Sequence, residues 1–266
     1  MGKNLDLASI SHWNKIYLLQ NIEKPLSNPN WSPSSYSEIL ISNLIEGIIL
    51  DKKISSILEV GCGNSPWLAY LGNKYNLKVA GIDYSIEGCK LAKNNLDCEG
   101  VDGAIFCENF FNENVDTVGT YDLVFSLGVV EHFSNTNIVI KSLKKYLNDG
   151  GILLSEIPNF NYSIHYFISK FWHPKHLNIH KIFGLNFLKN IYRDEGFKNI
   201  EGSYFGLFSF DIVAWKVDPR FPYLEKRLYY KIKNINSSLD SLMIRKKLFD
   251  SKCVFLSPYF YVLGEK

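Results

Sequence analysis

Ile57-Leu58-Glu59-Val60-Gly61-Cys62-Gly63-Asn64-Ser65, followed by Gly81-Ile82-Asp83-Tyr84-Ser85, decides the fold of this chain. Residues 54–60 read as a buried strand, short and β-branched, that stops at a glycine. Gly61 and Gly63 have no Cβ, so the turn after that strand lets the backbone approach a ligand. A second strand, Leu77 to Ile82, ends at Asp83 about one βαβ unit later, where a carboxylate accepts hydrogen bonds from ribose hydroxyls. Strand, glycine turn and strand-end acid in this order make a nucleoside site on an α/β sheet.

Two features select among nucleosides. A pyrophosphate cofactor favours a third glycine, and here that position is Pro66. Glu59, two residues before the first glycine, repels a pyrophosphate and can pair with an amino group. A ligand with adenosine at one end and a zwitterionic amino acid at the other fits both. With these residues in place the chain resembles the class I S-adenosylmethionine-dependent methyltransferases, whose E-x-G-x-G motif is matched by Glu59–Gly63 and whose second acidic position is matched by Asp83.

The resemblance extends further. Ala104–Phe111 is similar to the third strand and adenine turn of that family, with Asn109 where Asp is usual and Glu108 as the competing acceptor. Tyr121–Phe133 is similar to the fourth strand and the loop closing over the methionine part, and Leu147–Ser155 to the turn into the fifth strand. The resemblance spans roughly residues 35–205 and the final strand. It implies S-adenosylmethionine as cofactor, held by Glu59, Gly61, Cys62 and Gly63 at the methionine end and by Asp83 at the ribose. Asn109 and Phe110 are implied at the adenine, with Tyr84, Ser126 and Leu127 as further cofactor contacts. It also implies a doubly wound, mostly parallel seven-stranded sheet whose last strand, Tyr259–Leu263, lies antiparallel between its neighbours.

Composition agrees with one soluble globular domain over 1–266: 46% hydrophobic, 21% charged, net charge +2. The cysteines at 62, 89, 98, 107 and 253 form no CxxC pair, which points to small packed side chains in a reduced, cytoplasmic setting. No apolar stretch reaches the ~20 residues of a membrane span, and no leader pattern opens the chain. Residues 1–50 read as a helical cap over the cofactor mouth. Within it, Ser35 and Glu38 cap a helix with apolar residues at 39, 40, 44, 45 and 48.

Residues 207–250 fall where the family has only a connection, and so read as a helical insertion before the last strand. Within 216–247 stand nine Lys or Arg and three acids. That excess reads either as a solvated face or as a basic rim for an anionic small-molecule acceptor. One such patch on a nearly neutral chain falls short of nucleic-acid binding. Nothing in the pattern decides between a monomer and a homodimer.

Methyl transfer is an in-line displacement in which most of the enzyme's work is positioning. A sugar hydroxyl needs a general base, whereas an oxygen that is already anionic needs little more than orientation. His132, just beyond the fourth strand, is the candidate base, and His180, in a His-x-x-Phe pattern, the candidate acceptor contact. His176 and His180 are spaced like a metal pair. No Cys or carboxylate completes a set at matching distance, so no metal is expected. Tyr162, Tyr166, Phe167, Phe171 and Trp172 read as a packed aromatic face or a pocket wall.

The expected activity is methyl transfer to an oxygen of a small polar or anionic acceptor. Candidate acceptors are a sugar hydroxyl or a nucleotide-linked phosphate or phosphoramidate in bacterial surface-polysaccharide biosynthesis. N-methylation of a small amine, an NAD-dependent oxidoreductase and a non-catalytic fold relative are the alternatives. The missing third glycine speaks against the oxidoreductase, and the intact Gly61, Gly63 and Asp83 against the non-catalytic relative.

Overall fold

The computed structural model describes residues 5–23, 31–112, 115–209, 231, 234–235, 237–244 and 252–266. In chain order the first half runs α1 (Ile10–Glu23), α2 (Tyr36–Lys52), β1 (Ser56–Val60), α3 (Trp67–Tyr75), β2 (Lys78–Asp83), α4 (Ile86–Glu99), β3 (Gly103–Cys107) and α5 (Val115–Val118). The second half runs β4 (Tyr121–Leu127), α6 (Thr136–Lys144), β5 (Leu147–Pro158), α7 (Ile164–Trp172), α8 (Pro174–Leu177), α9 (Leu185–Asp194), β6 (Lys198–Phe205) and β7 (Tyr259–Glu265). A 3₁₀ turn, Val130–His132, follows β4.

The seven strands form one sheet in the order β3-β2-β1-β4-β5-β7-β6. β1 pairs in parallel with β2 and β4, so the order of strands reverses beside β1 and leaves a crevice at the carboxyl ends of β1 and β4. β7 runs antiparallel to both β5 and β6, as expected for the final strand. Every residue of β1 is buried, including the polar Ser56 and Glu59, so the strand shows no in–out alternation.

Helices cover both faces. Leu58, Val60, Val124 and Leu153 point to the layer holding Ile140, Leu143 and Leu188 of α6 and α9. Ile57, Leu123 and Phe125 point to Ile41, Ile45 and Ile49 of α2 and Leu71 of α3. α2 starts with the expected capping box, in which the Ser35 side chain accepts from Glu38 N and the Glu38 carboxylate accepts from Ser35 N. Because its apolar stripe is spent on the sheet, α2 belongs to the core layer. α1 lies over the carboxyl end of β1, where Trp13 and Tyr17 share a cavity with Gly61 and Asp83.

The aromatic run near α7 differs from its expectation. Tyr162 and Phe171 are 76% and 89% exposed, and Phe167 and Trp172 are exposed as well, so these four do not form a buried packed face. The basic segment 216–247 lies outside the described residues except for 231, 234–235 and 237–244, the last of which are helical.

Candidate functional site

The turn after β1 is built on backbone that side chains resist. Gly61 and Gly63 have φ of 78° and 31°. Gly61 N and Cys62 N both donate to Ile82 O, at 2.7 and 3.2 Å, which fastens the turn to β2. A Cβ on Gly61 would lie 2.4 Å from Val129 Cγ2, so the loop after β4 packs directly on this turn. Asp83 closes the arrangement: one carboxylate oxygen accepts from Gly63 N at 2.9 Å, the other from Ser85 N at 2.7 Å. Burial raises the Asp83 pKa, and these backbone donors act against that rise.

Glu59 is buried beneath the turn. Burial pushes its carboxyl up to about 8, with a Ser65 hydrogen bond acting the other way. Its Oε2 has no hydrogen-bond partner among the described residues. An acid so placed is a counter-group waiting for a cation, as an amino group would supply.

The N-terminal segment lies across the crevice. Leu7 N donates to His132 O at 2.8 Å and Ser134 N to Leu5 O at 2.7 Å, while the Tyr84 hydroxyl donates to the Asp6 carboxylate. From α1, Asn14 accepts from Ser85 Oγ at 2.6 Å. Trp13 meets the His132 ring edge-on at 4.8 Å. Tyr17 reaches deepest: a Cβ built on Gly63 would lie 2.1 Å from its hydroxyl oxygen, and one built on Gly88 would lie 2.9 Å from its ring. Burial, followed by the charge of Asp83, raises the Tyr17 pKa, so the phenol stays protonated.

Two cavities flank this helix. One of about 260 Å³ is walled by Trp13, Tyr17, Gly61, Asp83, Val129 and His132 among others. A second, of about 920 Å³, runs past Asp6, His12, Tyr84, Glu108, Asn109 and Ile179.

On the far side of the smaller cavity the 3₁₀ turn presents Glu131 and His132, and the segment after α8 brings up His180. His132 Nδ1 lies 2.7 Å from Ile179 O, and His180 Nδ1 lies 2.8 Å from His176 O. A carbonyl only accepts, so each Nδ1 carries the proton and each Nε2 presents a lone pair. The two rings are 4.6 Å apart. Burial lowers His132 to about 4 and His180 to about 3, so both are neutral at pH 7. Burial also raises the carboxyl of Glu131.

The structure gathers most of the sequence candidates. Gly61, Asp83, Tyr84, Phe110, Leu127 and His132 share the wall of the smaller cavity. Tyr84 and Asn109 line the larger one. Asn109 Oδ1 also accepts from Phe111 N at 3.0 Å, closing its own turn. Two candidates sit elsewhere. The Ser126 hydroxyl is inside the sheet, 3.5 Å from Ser155 Oγ, and the Cys62 side chain packs in the core. Alternation along β4 explains the first, because Leu127 takes the exposed direction. Tyr17 and Asp6 escaped the sequence reading. The available signal was the Trp13–Tyr17 pair, one helical turn apart in a helix without an apolar stripe.

A family profile described as a methyltransferase domain matches residues 36–201. The chain belongs to the methyltransferase domain family. S-adenosylmethionine is its cofactor, and the residues present fit it: a Cβ-free turn, a strand-end acid and a buried Glu59 carboxyl whose Oε2 is unpartnered among the described residues.

This methyltransferase is 27% identical over 101 residues to a probable fatty acid methyltransferase of Pseudomonas putida, covering 37% of this chain and 26% of that protein. It is 27% identical over 175 residues to the protein-lysine N-methyltransferase EFM4 of Saccharomyces cerevisiae, covering 58% and 76%. Among solved structures it resembles an S-adenosylmethionine-dependent methyltransferase of Archaeoglobus fulgidus (TM-score 0.56, 18% identity, 94% and 99% covered). It also resembles the plantazolicin methyltransferase BamL in complex with a substrate analogue and S-adenosylhomocysteine (TM-score 0.60, 13% identity, 98% and 95% covered). Among the described residues no helix is long and apolar enough to cross a membrane.

Proposed function

We propose that the protein transfers the methyl group of S-adenosylmethionine to an oxygen of a small polar acceptor, a sugar-type hydroxyl in the first instance. The relatives are named for dissimilar acceptors, so the reading rests on the site. The observation that carries it is the pair of imidazoles His132 and His180, each with Nδ1 tied to a backbone carbonyl and Nε2 left as a lone pair, with His132 lining the smaller cavity and His180 packed 4.6 Å behind it. Such groups act on an O–H and do little for a free phosphate. Neither cavity is lined by a Lys or Arg among the described residues, so the phosphate or phosphoramidate variant leans on the basic segment 216–247 alone.

Bound S-adenosylmethionine supplies an electrophilic methyl group on a sulfonium. Glu59 and the Gly61–Gly63 turn hold its amino-acid end, Asp83 and Tyr84 the ribose, and Phe110 with Asn109 the adenine. The segment 127–133, packed on the turn through Val129, keeps water from the reacting face. His132 and His180 orient the acceptor oxygen, and that alignment is where most of the rate gain arises. The free cysteines support placing the protein in a reduced cytoplasm. A sugar acceptor would be compatible with a role in surface-polysaccharide biosynthesis.

A second reading, transfer to nitrogen of a small amine or amino sugar, draws on the acids Asp6 and Glu108 lining the larger cavity. Release of S-adenosylhomocysteine across a panel of free sugars, nucleotide sugars, phosphoramidates and amines tests both. Turnover on hydroxyl acceptors is expected. Turnover on amines alone would move the assignment to nitrogen, and failure to bind S-adenosylhomocysteine would overturn the methyltransferase reading.

A further inference from the structure

We propose that Glu131, His132 and His180 bind one divalent first-row transition-metal ion, an ion that holds the acceptor oxygen beside the cofactor crevice. The proposal deepens the oxygen-transfer reading above and rests on it: with the ion bound, both Nε2 lone pairs go to the metal, and the ion rather than the free imidazoles orients the acceptor oxygen. Sequence spacing did not suggest this set, because the segment that carries His180 reaches the 3₁₀ turn only through the fold: Lys181 N donates to Glu131 O at 2.6 Å.

One ligand atom from each residue, a carboxylate oxygen and two ring nitrogens, all lie within 4.8 Å of one another. The three residues are 1%, 6% and 9% exposed, so water does not solvate them. Both imidazoles are prepared as ligands, since each Nδ1 donates to a carbonyl and thereby fixes the ring and its tautomer. Neither oxygen of Glu131 has a hydrogen-bond partner among the described residues. His132 Nε2 is 3.8 Å from Glu131 Oε1, too far for a hydrogen bond.

A buried carboxylate left unpaired beside two imidazole lone pairs is a poor arrangement for stability alone. It is a sound one for a cation. Glu156, also buried, leaves its Oε1 unpartnered on the neighbouring strand, where its backbone oxygen accepts from Gly128 N at 3.0 Å. Two imidazoles and one carboxylate, with no thiolate, suit manganese, iron or zinc and leave coordination positions open for an oxygen ligand. His132 also lines the smaller cavity, so those positions lie next to the crevice.

The test uses the full chain, stripped with a chelator and then equilibrated with Zn²⁺ or Mn²⁺. Metal content is measured after gel filtration and affinity by competition with a chromophoric chelator, while S-adenosylhomocysteine affinity is measured separately by calorimetry. One ion per chain is expected, with about tenfold or greater weakening in His180→Ala and Glu131→Gln variants that still bind S-adenosylhomocysteine. If those variants do not fold, the wild-type Co²⁺ spectrum decides. Ligand-field bands of a four- or five-coordinate nitrogen–oxygen site support the proposal, and the spectrum of the hydrated ion overturns it. No retained ion, or retention unchanged in the variants, also overturns it. Intact S-adenosylhomocysteine binding in that case leaves the methyltransferase reading standing, whereas loss of that binding in the wild type overturns the reading itself.

Discussion

The Tyr17 hydroxyl lies so close over Gly63 that a Cβ on that glycine would sit 2.1 Å from the phenolic oxygen. The face of the turn that lacks side chains is therefore filled by a ring from α1, which also crowds Gly88 on the helix after Asp83. A cofactor seated on this turn would meet that ring on the same face.

If Tyr17 must withdraw before the cofactor settles, the competent state is only part of the population and the apparent affinity falls by that fraction. Tyr17→Ala should bind S-adenosylhomocysteine more tightly, by about three- to tenfold, with faster association by stopped-flow fluorescence. Protection of α1 from hydrogen exchange should fall when ligand binds the wild type. Weaker binding by the alanine variant would make Tyr17 a wall of the bound cofactor instead.

Gly61 faces a different constraint. Its φ of 78° disfavours any Cβ, and that Cβ would lie 2.4 Å from Val129 Cγ2. Gly61→Ala should cost about 1–2 kcal/mol in backbone strain and about 1–3 kcal/mol in overpacking. Adding Val129→Ala removes the second cost and leaves the first, so the double variant should be more stable in urea than Gly61→Ala alone. Strictly additive losses would show that the turn and the loop after β4 are not in contact.

The difference between what the sequence discloses and what it hides follows from range. β1 and the Gly61–Gly63 turn are legible because a strand buried on both faces is mostly apolar and β-branched, here Ile57, Leu58 and Val60, and a left-handed turn favours glycine. The capping box of α2 is legible for the same reason: its partners, Ser35 and Glu38, are local. The meeting of Glu131 and His132 with His180 depends on where the chain returns after α8, which no local pattern records. Tyr17 is hidden because α1 contacts the site through single polar and aromatic side chains rather than through an apolar stripe. Of the neighbouring candidates Ser126 and Leu127, strand alternation sends the first side chain into the sheet and the second to the cavity, a division that depends on register rather than on composition.

Glu59 supplies a pH signature. Burial holds its carboxyl up to about 8 against an ordinary value of 4.5, so at pH 7 it is mostly protonated in the free protein. An ammonium group beside it favours the carboxylate. S-adenosylhomocysteine binding should then release a proton, up to about one per chain, and tighten as pH rises toward 8. For folding the sign is fixed by a raised folded-state value. The stability from Glu59 is full below 4.5 and is lost as pH rises through about 8. Calorimetry in buffers of different ionisation enthalpy should show the proton in the wild type and not in Glu59→Gln. Equal release in both would remove Glu59 from the cofactor's amino group.

Asp122 separates stability from activity, because it sits at the amino end of β4, away from the crevice. Partial burial acts to raise its pKa, but Ser55, Asn148 and Ser56 donate to the carboxylate and hold it down to about 2. The Ser55 hydroxyl donates at 2.7 Å, Ser56 N at 3.0 Å and Asn148 Nδ2 at 2.8 Å. These bonds tie the starts of β1, β4 and β5 together. Asp122→Asn should lose about 1.5–3 kcal/mol at pH 7, as expected when hydrogen bonds to a charged group are removed. The folded value is depressed, so this contribution is present above the ordinary 3.8 and is lost as pH falls through about 2. Urea unfolding should therefore show a gap between wild type and variant at pH 7 that closes near pH 2, while S-adenosylhomocysteine affinity at pH 7 stays the same. A gap that persists undiminished at low pH would mean that Asp122 stabilises the sheet through packing rather than charge.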